Sequence, residues 1–217
     1  GGGGGGGKTR IKGDFKEAIT IGAKKLSLDF EWKQAKNFNE EEYKHREALS
    51  IVCQKAAAYF QECITKNLVA INYLKERNFE ISDDDPFQIG YAPKGNTLLA
   101  WAEAQGLKRE LLVEAGLIGF NTDRQEYYDF FRDRIMFPIS DKTGRIIGFT
   151  GRILTNDKKQ SKYLNSPDTP IFNKGRELFG LNIARQTIRN ENRAYLVEGN
   201  FDVKRMHAIG VTGTIAP

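Results

Sequence analysis

Two groups of residues in this chain could act on phosphates: a pair of carboxylates late in the sequence and a series of basic side chains before it. Glu198 and Asp202 lie in VEGNFDV (197–203), directly after the apolar run 195–197. Ligands and catalytic groups of open α/β sheets gather at the carboxyl ends of strands. Carboxylates in such a place can hold Mg²⁺ or act as acids and bases. The EGxxD pattern is short, and a glutamate that caps the following helix explains it equally well.

The basic side chains are concentrated in residues 132–176, which contain ten Lys or Arg and four Asp or Glu. This segment has a net charge of +6, whereas the whole chain has +5, so the remainder has −1. Such a distribution is typical of proteins that bind a phosphate backbone, although a solvated lysine-rich loop has the same composition. The candidates for nucleic-acid contact in this segment are Arg132, Arg134, Arg152, Lys162, Lys174 and Arg176, with Tyr163 available to stack on a base.

Arg132 and Arg134 alternate with apolar neighbours, so a strand over this segment would direct both arginines to one face. Arginine suits bidentate contact with phosphate. The alternative is that the two arginines pair with Asp129 and Asp133 and stabilise the fold.

Length and composition are those of a soluble globular protein: 217 residues, 40% hydrophobic and 28% charged. No apolar run approaches the roughly 20 residues needed to cross a bilayer. Cys53 and Cys63 lie on the apolar stripe of one predicted helix, which indicates buried thiols rather than a disulfide or metal ligands. This cysteine usage favours a cytosolic compartment.

Periodicity predicts a mixed helical and extended chain. Gly106 and Gly116 are the expected stops of two short helices, and EYYDFF (126–131) is expected to pack in the core. His45 is interpreted as a solvated side chain rather than a ligand, His207 as structural, and residues 83–85 as a solvated acidic turn. The predicted helices are 14–30 in part, 40–66, 68–77, 96–105, 108–115 and 176–190, and the predicted strands are 87–93, 117–120, 134–139, 145–154 and 161–165, before a final strand–helix–strand.

Four blocks together resemble the catalytic core of the bacterial DnaG-type DNA primases: FRDRIMFPI (131–139), GRIIGFTGRILTND (144–157), KYLNSPDTPIFNKGRELFG (162–180) and VEGNFDV (197–203). The resemblance covers residues 14–217 and implies an α/β fold. An α+β N-terminal subdomain is expected over 31–175, followed over 176–217 by the opening strand–helix–strand of a truncated, Rossmann-like Toprim subdomain. Residues 8–30 would be the tail of a zinc-binding domain, and the glycine run 1–7 is interpreted as disordered or artefactual.

The resemblance implies synthesis of short RNA primers from ribonucleoside triphosphates on single-stranded DNA, by nucleotidyl transfer that depends on Mg²⁺ or Mn²⁺. It assigns catalysis and metal binding to Glu198, with Asp202 in the same acidic cluster, and a basic template groove to Arg77, Arg152, Lys162 and Lys174. The implied setting is the cytoplasm at a bacterial replication fork, without a membrane. A replicative helicase is the implied partner of a C-terminal domain, and zinc is the implied ligand of an N-terminal module; both parts are expected to be absent here.

The family's metal site also needs a DxD pair at the end of a later strand, and no such pair occurs between Glu198 and Pro217. The chain is therefore expected to be an inactive fragment that can still bind single-stranded DNA. The alternative is a non-catalytic module for binding single-stranded nucleic acid. A Toprim nuclease or topoisomerase would share VEGNFDV but has no reason to contain the blocks 131–139 and 162–170.

Overall fold

The computed structural model of the protein describes residues 39–82, 84–155 and 160–217. The expectations for residues 1–30, for Asp83 and for the turn at 156–159 lie outside these ranges. The described helices are α1 (Glu40–Thr65), α2 (Leu68–Lys75), α3 (Thr97–Ala104), α4 (Arg109–Glu114), α5 (Leu181–Glu191) and α6 (Asn200–Ala208). The described strands are β1 (Gly90–Ala92), β2 (Ile118–Asn121), β3 (Glu126–Asp129), β4 (Arg134–Ser140), β5 (Ile146–Ile153), β6 (Tyr163–Asn165), β7 (Tyr195–Leu196) and β8 (Thr214–Ile215).

Helix α1 forms one wall of the core with the apolar stripe that its sequence predicts. Leu49, Val52, Phe60 and Ile64 recur at helical spacing and are each at most 2% exposed. Cys53 lies on the same stripe and is fully buried, and this burial raises the pKa of its thiol to about 12.

The second cysteine, Cys63, is half-buried, and both thiols are free. The interpretation of the two cysteines as packing thiols rather than a disulfide is confirmed.

The main sheet is antiparallel, with the strand order β1-β4-β5-β6. Six of the seven residues of β4 and seven of the eight residues of β5 are buried, so these two strands form the centre of the core. The first strand is shorter than the predicted 87–93, because Gln88 has a φ of 48° and the extended backbone begins only after it. The helix predicted over 176–190 begins instead at Leu181, since Gly180 precedes it with a φ of 80°.

A separate hairpin joins β2 and β3, and its second strand was not predicted. It lies in the aromatic segment 126–131, where Phe131 is 1% exposed and the neighbouring aromatic side chains are partly buried, as the core interpretation expected. Asp129 ends β3, and its carboxylate accepts hydrogen bonds from the backbone N–H groups of Leu98 (2.8 Å) and Leu99 (2.9 Å). These bonds attach the hairpin to the first turn of α3.

Helix α1 crosses the sheet at contact distance where Phe60 meets Gly90 of β1. A Cβ atom on Gly90 would lie 2.5 Å from the Phe60 Cβ and 2.6 Å from its carbonyl carbon. Only glycine allows this approach, because the neighbouring atoms belong to the helix backbone and cannot move aside. The Phe60 ring then packs edge-on against Phe149 of β5, at 5.6 Å between centroids.

The last 40 residues contain the predicted parallel strand–helix–strand, formed by β7, α6 and β8. Phe201 of α6 packs on Phe79 (5.3 Å) and on Phe137 of β4 (4.9 Å). Lys204 of the same helix forms an ion pair with Asp85 at 2.7 Å, and the two side chains are 13% and 10% exposed. These contacts fix α6 to the main sheet, and the hydrophobic core runs continuously from α1 to Phe201, Val203 and Ala216.

The parallel pairing of β7 is confirmed, but the prediction that residues 195–197 form a buried strand is wrong. Leu196 is 69% exposed and Tyr195 is half-buried. The described sheet at this point has two strands, so β7 pairs along one edge only within the described residues.

The combination of helices with sheet confirms the α/β fold class. The division of the chain at residue 175 stays a prediction. In the described part of the chain, no helix is both long enough and apolar enough to span a membrane.

Because α1 and β1 touch at Gly90, a single methyl group added at this position should destabilise the fold. We expect Gly90→Ala to lower the free energy of unfolding by about 3 kcal/mol or more, because overpacking against a rigid backbone cannot relax. Gly175→Ala is the matched control, since its Cβ would meet only the Asn173 Oδ1, at 3.6 Å. Urea unfolding followed by circular dichroism measures both; equal stability of the two variants would contradict the packing described.

Candidate nucleic-acid and metal site

A cleft of about 380 Å³ lies where β6, the segment 172–179 and the start of α6 meet. Five predicted site residues line this cleft: two lysines, one tyrosine and two carboxylates. They come from three separate stretches of sequence. We call it the carboxylate cleft, and its lining residues are Ile139, Thr150, Lys162, Tyr163, Asn165, Phe172, Lys174, Glu177, Phe179, Glu198, Gly199, Asn200, Asp202 and Pro217.

The two acidic candidates lie at the junction of β7 and α6, as the sequence predicts. Glu198 and Asp202 are both exposed, and Gly199 between them is extended and precedes the helix. A Cβ atom on Gly199 would lie 3.7 Å from the Asp202 Oδ2, so the aspartate side chain folds back over the glycine. Among the described residues, the Glu198 side chain forms no hydrogen bond, and this arrangement does not support its interpretation as a helix cap.

The four charged side chains Lys162, Lys174, Glu198 and Asp202 have no ion-pair or hydrogen-bond partner within the described ranges. Exposed ion pairs contribute little to stability, so the fold does not require these charges to pair with each other. Without such partners, both the cations and the carboxylates are available to a ligand that carries phosphate or a cation.

The carboxylates fit part of a magnesium site. Mg²⁺ prefers near-octahedral oxygen ligands and commonly takes one or two protein carboxylates together with waters and substrate phosphates. Glu198 and Asp202 supply that number, but no group of three or more His, Cys, Asp or Glu side chains suitable for a metal occurs within residues 39–82, 84–155 and 160–217.

Arg152 of β5 lies beside the cleft, opposite Tyr163 in the register of β5 and β6. Its Nη1 donates to the Tyr163 hydroxyl at 2.9 Å, and its Nε donates to the hydroxyl of Tyr73 on α2. Burial alone would lower the pKa of Arg152, but the hydrogen bonds with the two tyrosines raise it, so the guanidinium remains charged. No carboxylate of the described residues lies within ion-pair distance of it.

Arg77 is connected to Arg152 through the same tyrosine. Its Nη1 donates to the Tyr73 carbonyl at 3.1 Å, and its guanidinium carbon lies 3.7 Å from the centre of the Tyr73 ring. Arg77 does not line the cleft. Glu76 is 4.0 Å away, at the limit of an ion pair.

Arg132 and Arg134 do not share a strand face, so that prediction is wrong. Arg132 precedes β4 and is exposed, whereas Arg134 is the first residue of β4 and is 4% exposed. The Arg134 Nη1 donates to the carbonyls of Gly151 (3.2 Å) and Ser161 (3.0 Å). Arg134 therefore holds the strands together, and its position does not support a contact with nucleic acid.

Arg132 has a different environment. Its Nη2 donates to the Asn96 Oδ1 at 2.8 Å, and its guanidinium lies 5.4 Å from the ring centre of Tyr128. Arg176 is exposed and does not line the cleft. These two arginines stay predictions as nucleic-acid contacts.

Sequence reasoning missed two residues at the site. Tyr73 contacts two arginines, and the only sequence signal is its position four residues before Arg77 on a helix. Asn200 lines the cleft and is 7% exposed, and its Nδ2 has no hydrogen-bond partner. Such a buried, unpaired amide gives no signal in the sequence.

Comparison with known proteins points to one family. Residues 59–185 match the family described as the DNA primase catalytic core, N-terminal domain. The DNA primase of Synechococcus elongatus is 37% identical over 212 residues, which cover 94% of this chain and 30% of that relative. The chain thus spans less than a third of the length of this curated relative.

Two solved structures are also similar. One is the RNA polymerase domain of Mycobacterium tuberculosis primase DnaG, in complex with a double-stranded DNA oligomer with a 6-nucleotide overhang (TM-score 0.73, 31% identity, 78% of this chain and 54% of that one). The other is a DnaG primase catalytic domain bound to single-stranded DNA (TM-score 0.70, 37% identity, 80% of this chain and 54% of that one).

The different environments of Arg134 and Arg132 predict different effects of truncation. We expect Arg134→Ala to cost about 2–3 kcal/mol of unfolding free energy, because two strand carbonyls lose a buried charged donor. Arg132→Ala should change it by about 0.5 kcal/mol or less, as is usual at exposed positions. Urea titration of the two variants measures the difference, and similar values for both would contradict the structural role of Arg134.

Proposed function

Because the chain belongs to the DNA primase family, within its catalytic core, we propose that the carboxylate cleft and Arg152 beside it bind the template strand and nucleotides during primer synthesis. The observation that carries this proposal is the presence of unpaired cations and unpaired carboxylates in one cleft. The cations would bind the phosphates of a nucleic-acid strand, and the carboxylates would serve the transfer of a nucleotidyl group.

The cations suit a single strand of DNA. Lys162 and Lys174 are exposed and free to contact phosphates, and Arg152 adds a charge that no carboxylate in the described part of the chain neutralises. Tyr163 is 40% exposed between them, which leaves its ring available to stack on a base. The similarity to a primase domain bound to single-stranded DNA supports this assignment.

The carboxylates suit a divalent cation. Glu198 and Asp202 would hold Mg²⁺ or Mn²⁺, which when bound supplies neutralisation of the charge on transferring phosphoryl oxygens. Lys162 and Lys174 would keep the triphosphate of an incoming ribonucleotide in the cleft by charge attraction. The exposed position of Glu198 leaves its oxygens free for this task.

We extend this proposal to the whole protein. The whole protein would be an enzyme that makes RNA primers from ribonucleoside triphosphates on single-stranded DNA. It would act in the bacterial cytoplasm, in association with a replicative helicase. Zinc would belong to a separate module.

A second candidate function is binding of single-stranded DNA without catalysis. The observation in its favour is that Glu198 and Asp202 offer only part of the oxygen cage that Mg²⁺ requires. The two candidates share the cationic contacts and differ in whether the carboxylates bind a metal.

Binding of fluorescent single-stranded DNA across a salt series tests the cationic contacts. About four phosphate contacts would give a slope of log affinity against log salt near −3, and Lys162→Ala/Lys174→Ala should reduce its magnitude by about 1.4. The matched control is Lys55→Ala/Lys108→Ala, which removes two exposed lysines that do not line the cleft. If both double variants lose the same affinity, general charge rather than the cleft determines binding, and the proposal fails.

Binding of Mn²⁺, followed by the loss of the free-ion signal in electron paramagnetic resonance, tests the carboxylates. We expect weak binding, with a Kd on the order of 1 mM, because two carboxylates leave most positions to water. Glu198→Gln/Asp202→Asn should abolish it, whereas Glu110→Gln, an exposed change on α4, should not. Undiminished binding by the double variant would refute the metal site, and the absence of any binding by the unmodified chain would favour the second candidate function.

A further inference from the structure

Arg152 is held by aromatic side chains from three different elements rather than by a carboxylate. Its guanidinium carbon lies 5.6 Å from the ring centre of Tyr73 on α2, 5.2 Å from that of Tyr163 on β6 and 5.7 Å from that of Phe201 on α6. Two of these rings also supply hydroxyl acceptors. The orientation of the guanidinium is thus fixed, and its positive charge is not neutralised by a carboxylate of the described residues.

Tyr73 has a second cation on its ring. The guanidinium of Arg77 lies 3.7 Å from the ring centre, closer than that of Arg152. The negative faces of an aromatic ring attract cations, so one tyrosine keeps two like charges near each other that would otherwise separate. Arg77, Tyr73, Arg152 and Tyr163 form a continuous series that ends at a wall of the carboxylate cleft.

The donors of Arg152 are only partly used. A guanidinium has five N–H groups. One is donated to the Tyr73 hydroxyl and one to the Tyr163 hydroxyl, which leaves three without an acceptor among the described residues. Three free donors are enough for a two-bond contact with one phosphate, and such a contact requires the planar group to have a fixed orientation.

We propose that Tyr73 is a positioning residue for binding of the template: its hydroxyl orients Arg152 so that the remaining N–H groups bind a phosphodiester of single-stranded DNA at the edge of the carboxylate cleft. This inference rests on the proposed function, because it assumes that Arg152 contacts the template. Tyr73 itself makes no contact with DNA in this scheme. Its ring contributes by keeping Arg77 and Arg152 in place, and its hydroxyl sets the orientation.

A double-mutant cycle on binding of single-stranded DNA tests the proposal. Tyr73→Phe removes the hydroxyl and keeps the ring, so the stacking of Arg77 is preserved. We expect Tyr73→Phe to weaken binding by about five-fold, the typical effect of one hydrogen bond. Arg152→Ala should weaken it by at least as much, and Tyr73→Phe should have no further effect in the Arg152→Ala background, because residues that act through one another are not additive.

The chain contains a matched control pair. The Tyr195 hydroxyl accepts a hydrogen bond from Arg193 at 3.2 Å, and neither residue lines the cleft. Tyr195→Phe likewise removes a tyrosine hydroxyl that accepts from an arginine, and it should leave the affinity for single-stranded DNA unchanged. Thermal unfolding of each variant separates a loss of folded protein from a loss of affinity.

Any other outcome overturns either the positioning role of Tyr73 or the contact of Arg152 with the template. If Tyr73→Phe weakens binding equally with and without Arg152, Tyr73 acts independently and the positioning role is wrong. A loss of affinity with Arg152→Ala but not with Tyr73→Phe overturns only the positioning role. If Arg152→Ala itself has no effect, the contact of Arg152 with the template is wrong, and the inference fails with it.

Discussion

The approach of α1 to the main sheet is the constraint on which the rest of the structure depends. At Gly90 the helix backbone and strand β1 touch without an intervening side chain, and Phe60 is thereby inserted against Phe149 of the neighbouring strand β5. Because protein interiors are packed as closely as organic crystals, this contact sets the distance between helix and sheet at the point where they cross. Strand β5 carries Arg152, so the position of a candidate DNA contact follows from the packing on the opposite side of its strand.

The second requirement is the attachment of α6, since this helix begins directly after Glu198. Phe201 packs on Phe79 and Phe137, and the part-buried ion pair of Lys204 with Asp85 fixes the helix from another direction. Separating the two charges would leave each without its partner in a site with little access to water, which disfavours other positions of the helix. The carboxylates and the basic strands thus meet across one cleft because a hydrophobic and an ionic contact fix them together.

The arginines of this chain have two roles, one in the fold and one in a candidate binding surface. The surroundings of each side chain indicate which role it has. Arg134 is buried and gives its donors to strand carbonyls, so little of it remains for a ligand. Arg152 is partly exposed and bonded to neutral hydroxyls, which orient the guanidinium without neutralising it. The burial of Arg134 and the partial exposure of Arg152 therefore separate an arginine of the fold from a candidate binding residue.

The sequence by itself determined most of the elements, the family and the charged side chains of the cleft. The stripe on α1, the glycine stops at 106 and 116 and the strand–helix–strand after residue 194 are local patterns, and local periodicity predicts them. Lys162, Tyr163, Lys174, Glu198 and Asp202 were identified from residue type and resemblance, and they line one cleft. Only the tertiary structure decided which arginines are buried, that Tyr73 joins Arg77 to Arg152, and that Leu196 is exposed. These properties depend on contacts between residues far apart in the chain, such as the 79 positions between Tyr73 and Arg152, and no local pattern encodes such a distance.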